Sequence, residues 1–223
     1  MRGPSGGTRT IRRSSAILSL CAVGCVSYSA RPFDSRQEAS SIVEQREADG
    51  LHVAVEDLSS PRSSLQYFDR DLAGHGYAPV LLFLELDRLS ENVFDVRRDE
   101  VHLCLQDGTR LGAVDPLEVA DHVAYSHFRS VLGFFLVFPG FFVASSVNRA
   151  NEEMETDYQL KSVKSVRINP NMRSFRSVLF FRIPDEIANR FTMEDAFVEV
   201  KVFKQGQGGT LGRAIEFPVH FGK

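Results

Sequence analysis

The feature that most constrains the fold is a series of short segments in which apolar and polar residues alternate with a period of two. The alternation is clear at 51–56 and 197–204, whereas 79–86 is an almost continuous apolar run. Because successive side chains of a strand point to opposite faces, alternation indicates a half-buried strand, and a continuous run indicates burial on both faces. Further strand-like runs occupy 93–96, 101–105, 175–183 and 214–221. These segments predict a mainly β chain arranged as a sandwich.

Two helices are predicted between the early and the late strands. Asp115 can cap the first helix, and Pro116 suits its first position. Leu117, Ala120 and Ala124 share one face of that helix, and a second stripe steps by three and four along Val147, Ala150, Met154 and Tyr158. Residues 115–161 are therefore predicted to be a helical insertion in the β domain.

The segment 130–147 is the most unusual part of the chain, because it carries no charge over 18 residues. As a straight helix it would reach about 27 Å, short of the ~30 Å hydrocarbon core of a bilayer. Pro139 would divide it into two apolar arms. Three interpretations stay open: arms packed on the sandwich, a hairpin dipping into a membrane, or a spanning helix. The residues expected to contact membrane or partner are Leu132, Phe134, Phe135, Leu136, Phe138, Phe141 and Phe142.

The first 24 residues are typical of an export signal. Four arginines precede a short apolar run at 16–23, and no acidic residue occurs before Asp34. The residues Ala22-Val23-Gly24-Cys25 resemble a bacterial lipobox, which implies cleavage before Cys25 and attachment of acyl chains to it. An ordinary signal peptide cut near Ala30, or no export, are the alternatives. The expected organisation is a signal peptide over 1–24, a flexible tether over 25–50 with a short helix at 36–48, and a domain over 51–223.

The charge of the chain argues against one class of partner, and its cysteine content argues against a disulfide. Without residues 1–24 the chain has 22 Lys and Arg against 29 Asp and Glu, which is a net charge of −7. That balance argues against nucleic-acid binding, which requires a concentrated basic surface. Beyond Cys25 the mature chain keeps one thiol, Cys104, so no intramolecular disulfide is predicted. Cys104 lies in a strand-like run and is expected to be a small buried side chain.

No catalytic set emerges from the remaining polar residues. His122 and His127 are five positions apart, a spacing that does not bring two metal ligands to one helix face. The glycine-rich segment 206–212 lacks the Lys-Ser/Thr of a phosphate loop. We therefore predict no catalytic residue, no metal ligand, no cofactor and no small-molecule substrate.

From Leu51 onward the chain resembles uncharacterised bacterial envelope lipoproteins with an immunoglobulin-like β-sandwich interrupted by a hydrophobic helical insert. The resemblance depends on the run 79–86, the turn at Asp107-Gly108, the helix start at 115–118, the apolar insert and residues 151–161. It implies that fold and no activity.

The function expected from these observations is a non-enzymatic, membrane-anchored envelope lipoprotein with a binding or structural role. Its partners would be the bilayer, through Cys25, and an envelope protein. Val26 follows Cys25 where an Asp would favour the inner membrane, so the periplasmic face of the outer membrane is expected. The alternatives are a membrane-interacting protein that acts through 130–147, and an enzyme with an unrecognised site.

Overall fold

The alternating segments form one antiparallel sheet in the computed structural model, which describes residues 27–33, 45–125, 139–188, 191–206 and 211–221, the side chains of 139–144 and 211 excepted. The strands within these ranges are β1 (Gln45–Ala48), β2 (Leu51–Asp57), β3 (Tyr77–Leu86), β4 (Phe94–Leu105), β5 (Arg110–Val114), β6 (Ser165–Ile168), β7 (Ser174–Arg182), β8 (Ala196–Gln205) and β9 (Leu211–His220). They pair in the order β1–β2–β3–β7–β5–β4–β8–β9, and β6 lies beside β4. The prediction of a mainly β chain is confirmed.

The sheet folds into two facing halves that β5 connects. Residues 102–104 of β4 pair with one part of β5, and Ala113 and Val114 of β5 pair with β7. Apolar side chains of both halves fill the space between them, including Val80 and Leu82 from β3. The two edge strands of the sheet, β1 and β9, lie close together: the Arg46 Nε on β1 donates to the Pro218 carbonyl on β9 over 3.2 Å. The sheet is thus nearly closed into a barrel.

The position of β3 between two apolar layers explains why its sequence is almost continuously apolar. All its residues but Glu85 are buried. Val80, Leu82 and Leu84 pack between the two halves of the sheet, whereas Leu81 and Phe83 pack on the opposite side against helices. This is the two-face burial expected from the run, since alternate residues of a strand face opposite sides.

A layer of helices covers the outer face of the half formed by β1, β2, β3 and β7. These helices are α1 (Pro61–Phe68), α2 (Pro116–His122) and α3 (Pro139–Lys161), whereas the short α4 (Asp185–Ala188) packs through Ile187 against the core between the sheet halves. We call α1, α2 and α3 the helical layer. The predicted stripe of α3 is confirmed, because Val147, Ala150, Met154 and Tyr158 are at most 1% exposed.

The start of α2 is confirmed, since the Asp115 carboxylate accepts a hydrogen bond from the Leu117 amide over 3.0 Å. The helix ends at His122, however, and Leu117 is 43% exposed instead of lying on a buried face. Residues 45–48 form β1, so the helix predicted over 36–48 is wrong there. The strands predicted at 93–96 and 101–105 are one strand, β4, whose pairing with β8 shifts register between Val96 and Val101.

Candidate functional site

Asp69, at the C-terminal end of α1, joins three separate parts of the chain. Its φ of 54° places it in the left-handed region, and its amide caps the helix by donating to the Leu65 carbonyl. The Asp69 carboxylate accepts hydrogen bonds from the Ser29 amide over 3.2 Å and from the Tyr125 hydroxyl over 2.5 Å. Residues near the N-terminus, the end of α1 and the chain beyond α2 therefore meet at one carboxylate.

A second carboxylate, Asp157 on α3, connects the same N-terminal residues to the helical layer. It accepts a short hydrogen bond from the Tyr28 hydroxyl and a 2.6 Å hydrogen bond from the Lys161 Nζ. Lys161 also donates to the Tyr67 carbonyl over 2.6 Å. One helical turn separates Asp157 from Lys161, so α3 presents both charges on one side.

Lys161 is unusual because its side chain is only 6% exposed. Its ammonium lies 5.5 Å from the centre of the Phe33 ring and 5.6 Å from that of Phe68. Burial lowers the pKa of Lys161, and the hydrogen bond to Asp157 opposes that shift. The two oxygen acceptors and the two ring faces compensate the loss of water around the charge.

The N-terminal residues 27–33 lie along this surface, and we call them the docked segment. Besides Tyr28 and Ser29, its Arg31 amide donates to the Gln66 carbonyl of α1 over 2.9 Å. The Phe33 ring lies 5.1 Å from the ring of Tyr67. Four of seven residues thus contact the helical layer, although this part of the chain was predicted to be a flexible tether.

Three tyrosines around the two carboxylates are held in their neutral form. Burial raises the pKa of Tyr28, and the hydrogen bond to Asp157 raises it further. Burial, followed by the hydrogen bond to Asp69, raises the pKa of Tyr125, and burial raises that of Tyr158. Neutral phenols are hydrogen-bond donors, so this cluster is suited to holding segments together, not to exchanging protons near neutral pH.

Two residues that flank the apolar insert also meet here. The Tyr125 amide donates to the Asn151 Oδ1 over 2.7 Å, and the Asn151 Nδ2 donates back to the Tyr125 carbonyl over 3.4 Å. Tyr125, which precedes the insert, is therefore held against Asn151 on α3, which follows it. Through Asp69, Tyr125 is also joined to Ser29.

The residues predicted to contact lipid or a partner fall largely outside the described ranges. Cys25 lies two positions before the docked segment, and Leu132, Phe134, Phe135, Leu136 and Phe138 lie between α2 and α3, all outside those ranges. Phe141 and Phe142 belong to the first turns of α3, and their side chains are not among those described.

A second polar cluster, which the sequence reasoning missed, surrounds His52. Glu47 and His52 are opposite one another in the β1–β2 hairpin, and Asp87 follows β3. The His52 Nε2 lies 2.8 Å from the Asp87 Oδ1, and the Nδ1 lies 3.8 Å from the Glu47 Oε2. Although these residue types can bind a metal ion, the carboxylates face different ring nitrogens. One ligand atom from each of the three residues lies within 4.8 Å of the other two, but the contact formed is the hydrogen bond between His52 and Asp87, and surface carboxylates often cluster in this way without an ion.

The remaining candidates take structural positions. Cys104 is 5% exposed, and burial raises the pKa of its thiol, so the prediction of a small buried side chain is confirmed. His122 has its Nδ1 2.8 Å from the buried Tyr77 hydroxyl, at the end of α2. His127 lies outside the described residues.

Among the described helices, none combines the length and apolar character that a bilayer crossing requires. No protein-family model matches the sequence, and a search of curated proteins finds no significant match.

Proposed function

We propose that this chain is a membrane-anchored lipoprotein of a bacterial envelope, acylated at Cys25, with a binding or structural role and no enzymatic one. The observation that carries the proposal is the docked segment, which begins two residues after Cys25. Its contacts bear directly on where a signal peptidase would cut.

Cleavage after Ala30 would remove Tyr28 and Ser29 from the mature protein. Asp69 would lose two of its hydrogen-bond donors, and Asp157 would lose its phenol donor. Tyr125 would still donate to Asp69 and Lys161 to Asp157, so the cost is that of the lost hydrogen bonds, typically about 0.5–1.5 kcal/mol each. Cleavage before Cys25 keeps every one of these contacts, which favours lipoprotein processing over an ordinary signal peptide.

The decisive experiment is the intact mass of the protein purified from bacterial membranes, compared between wild type and Cys25→Ser. We expect a wild-type chain that begins at Cys25 and carries two or three acyl chains, and a variant without them. Cys21→Ser is the matched control, because Cys21 lies in the same apolar run but would be discarded with the signal. A mature chain that begins near Arg31, or an unprocessed chain without acyl groups, would refute the proposal.

A second function is suggested by two residues that share one carboxylate. Ser29, four residues after Cys25, and Tyr125, five residues before the insert 130–147, both donate to Asp69. We propose that the phenylalanines of the insert bind the bilayer next to Cys25. Replacing Phe134, Phe135, Phe141 and Phe142 by serine should abolish liposome binding by a non-acylated full chain. Unchanged binding would remove this function, and loss of a protein from a pull-down instead would indicate an envelope partner.

The proposal also includes an immunoglobulin-like fold and a location in the outer membrane. Two facing sheet halves around one apolar core are compatible with an immunoglobulin-like sandwich, while the approach of β1 to β9 resembles a barrel. The periplasmic face of the outer membrane is the proposed location, and fractionation of inner and outer membranes tests it. An excess of acidic residues continues to argue against nucleic acid as a partner.

A further inference from the structure

We infer that the domain rests with its helical layer against the bilayer surface and its charged sheet face turned toward water. The inference depends on the proposed acylation of Cys25. The helical layer is the surface that contacts lipid headgroups, and the charged sheet face stays free.

The first step is the length of chain between the anchor and the domain. A chain spans at most about 3.6 Å per residue, so Ser29, bound to Asp69, can lie no more than ~14 Å from Cys25. If the chain were free as far as Leu51, the same anchor would allow about 90 Å. Docking of residues 27–33 therefore holds the helical layer next to the acylated residue, with little freedom for the domain to turn over.

The second step is the distribution of exposed apolar side chains. Among the described side chains, Leu65 on α1 is 53% exposed, Leu117 on α2 is 43% exposed and Leu160 on α3 is 76% exposed, while Leu89, Val163 and Met172 are exposed in loops outside the layer. Single exposed leucines are common on soluble proteins and indicate nothing by themselves. On the one layer that a short chain ties to a lipid anchor, they have a partner within reach.

The third step is the opposite side of the molecule. The outer face of the half formed by β4, β5, β8 and β9 is a shallow charged surface, lined by Glu100, His102, Arg110, Glu199, Lys201 and Glu216. Apolar side chains between the sheet halves separate this face from the helical layer. Because the core lies between this face and the layer that the docked segment holds near the anchor, this face is the one that stays in water.

The depth of contact is limited by charges on α3 itself. Glu152 and Glu153 are exposed on that helix within two to three turns of Leu160. Carboxylates do not enter hydrocarbon at neutral pH without a large penalty. The helical layer therefore contacts the headgroup region and does not sink among the acyl chains.

The test uses acylated full-length protein from native membranes, reconstituted into vesicles of phosphatidylethanolamine and phosphatidylglycerol. One cysteine is introduced at a time, as Leu65→Cys, Leu117→Cys or Leu160→Cys, and labelled with a fluorophore. Glu216→Cys on β9 is the matched control, because it is also exposed but lies on the charged face. Wild type gives the background, since its Cys104 is buried.

We expect nitroxide lipids labelled at the headgroup to quench the three helical positions and to leave position 216 unquenched. Lipids labelled in mid-chain should quench all four positions weakly. Equal quenching at 216 and at the helical positions, or quenching at 216 alone, would overturn the inference. The intact mass of each sample shows whether the protein carries its acyl chains. A wrong quenching pattern in acylated protein refutes the orientation, whereas missing acyl chains refute the proposed acylation.

Discussion

Removing the Asp157 carboxylate should destabilise the domain more than removing any ordinary surface charge. Asp157→Ala leaves the Lys161 ammonium buried with one carbonyl acceptor, and it also deprives the Tyr28 phenol of its partner. Losing one member of a buried ion pair costs about 3–5 kcal/mol. Because the Asp157 side chain is 28% exposed, water replaces part of the lost interaction, and we expect about 2–3 kcal/mol. That corresponds to a Tm lower by roughly 5–10 °C.

The same helix provides the control. Arg149 and Glu153 form an ion pair with the same spacing on α3, but their side chains are 81% and 44% exposed. Exposed pairs contribute about 0–0.5 kcal/mol, so Glu153→Ala should change the stability little. Comparing the two variants separates the effect of burial from the effect of helix position and charge.

A second substitution should reverse much of the damage. In Asp157→Ala/Lys161→Met the unpaired charge is gone, and the methionine packs against the rings of Phe33 and Phe68. We expect the double variant to be more stable than Asp157→Ala alone by at least about 1 kcal/mol. Urea unfolding followed by circular dichroism measures all variants, with equal slopes required for comparison. Additive losses in the double variant, or a cost below ~0.5 kcal/mol for Asp157→Ala, would refute the role assigned to the buried pair.

Three further predictions concern the cap of α2, the hairpin and alkaline pH. Asp115→Ala should cost about 1 kcal/mol or more in thermal unfolding, because it removes both the cap and the ion pair with Arg98. Asp115→Asn removes that charge but keeps a capping acceptor and should cost less; a loss from Asn larger than that from Ala would contradict the cap. Gly108→Ala should destabilise because Gly108 has a φ of 86°, while Gly112→Ala meets no atom within 4 Å and should stabilise by about 0.4–1 kcal/mol in urea unfolding. The raised pKa of Tyr28, Tyr125 and Tyr158 means that their contribution is present below about pH 10 and is lost as the pH rises toward the folded-state value. Ionisation of these three tyrosines should therefore accompany unfolding, and a tyrosinate absorbance equal to that of all five tyrosines in the folded state would contradict this.

Local patterns in the sequence correctly predicted the elements that pack against the apolar core. The stripe on α3 and the run in β3 needed no knowledge of the partner, because spacing alone fixes which side is buried. Helix α1 was missed although Ser60 caps it and Pro61 begins it, the same pair of signals that revealed α2. The rest of the helix gives no apolar stripe, because only two of its eight residues, Ser64 and Phe68, are buried.

The docked segment could not have been predicted from its composition. Residues 27–33 look like a polar tether, and their partners are far away in sequence: Asp69 is 40 positions from Ser29, and Asp157 is 129 positions from Tyr28. No periodicity connects such residues, because contacts of this kind depend on how α1 and α3 are brought together by the core. A usable signal was nonetheless present in Asp157 and Lys161, whose i, i+4 spacing beside the buried Tyr158 placed a charge pair next to the core.

The two halves of the sheet differ in their hydrophobic pattern, and this difference shows which half the helical layer covers. In β8, buried residues alternate with partly exposed ones, whereas β3 is buried at nearly every position. A strand with one polar face has water beside it, and a strand with two apolar faces requires a second layer over it. The continuous runs therefore identify β3 as the strand that needs a helical cover, and the alternating strands as those with a free outer face. Because the docked segment lies on the covering helices, the same patterning also identifies the side of the domain against which residues 27–33 pack.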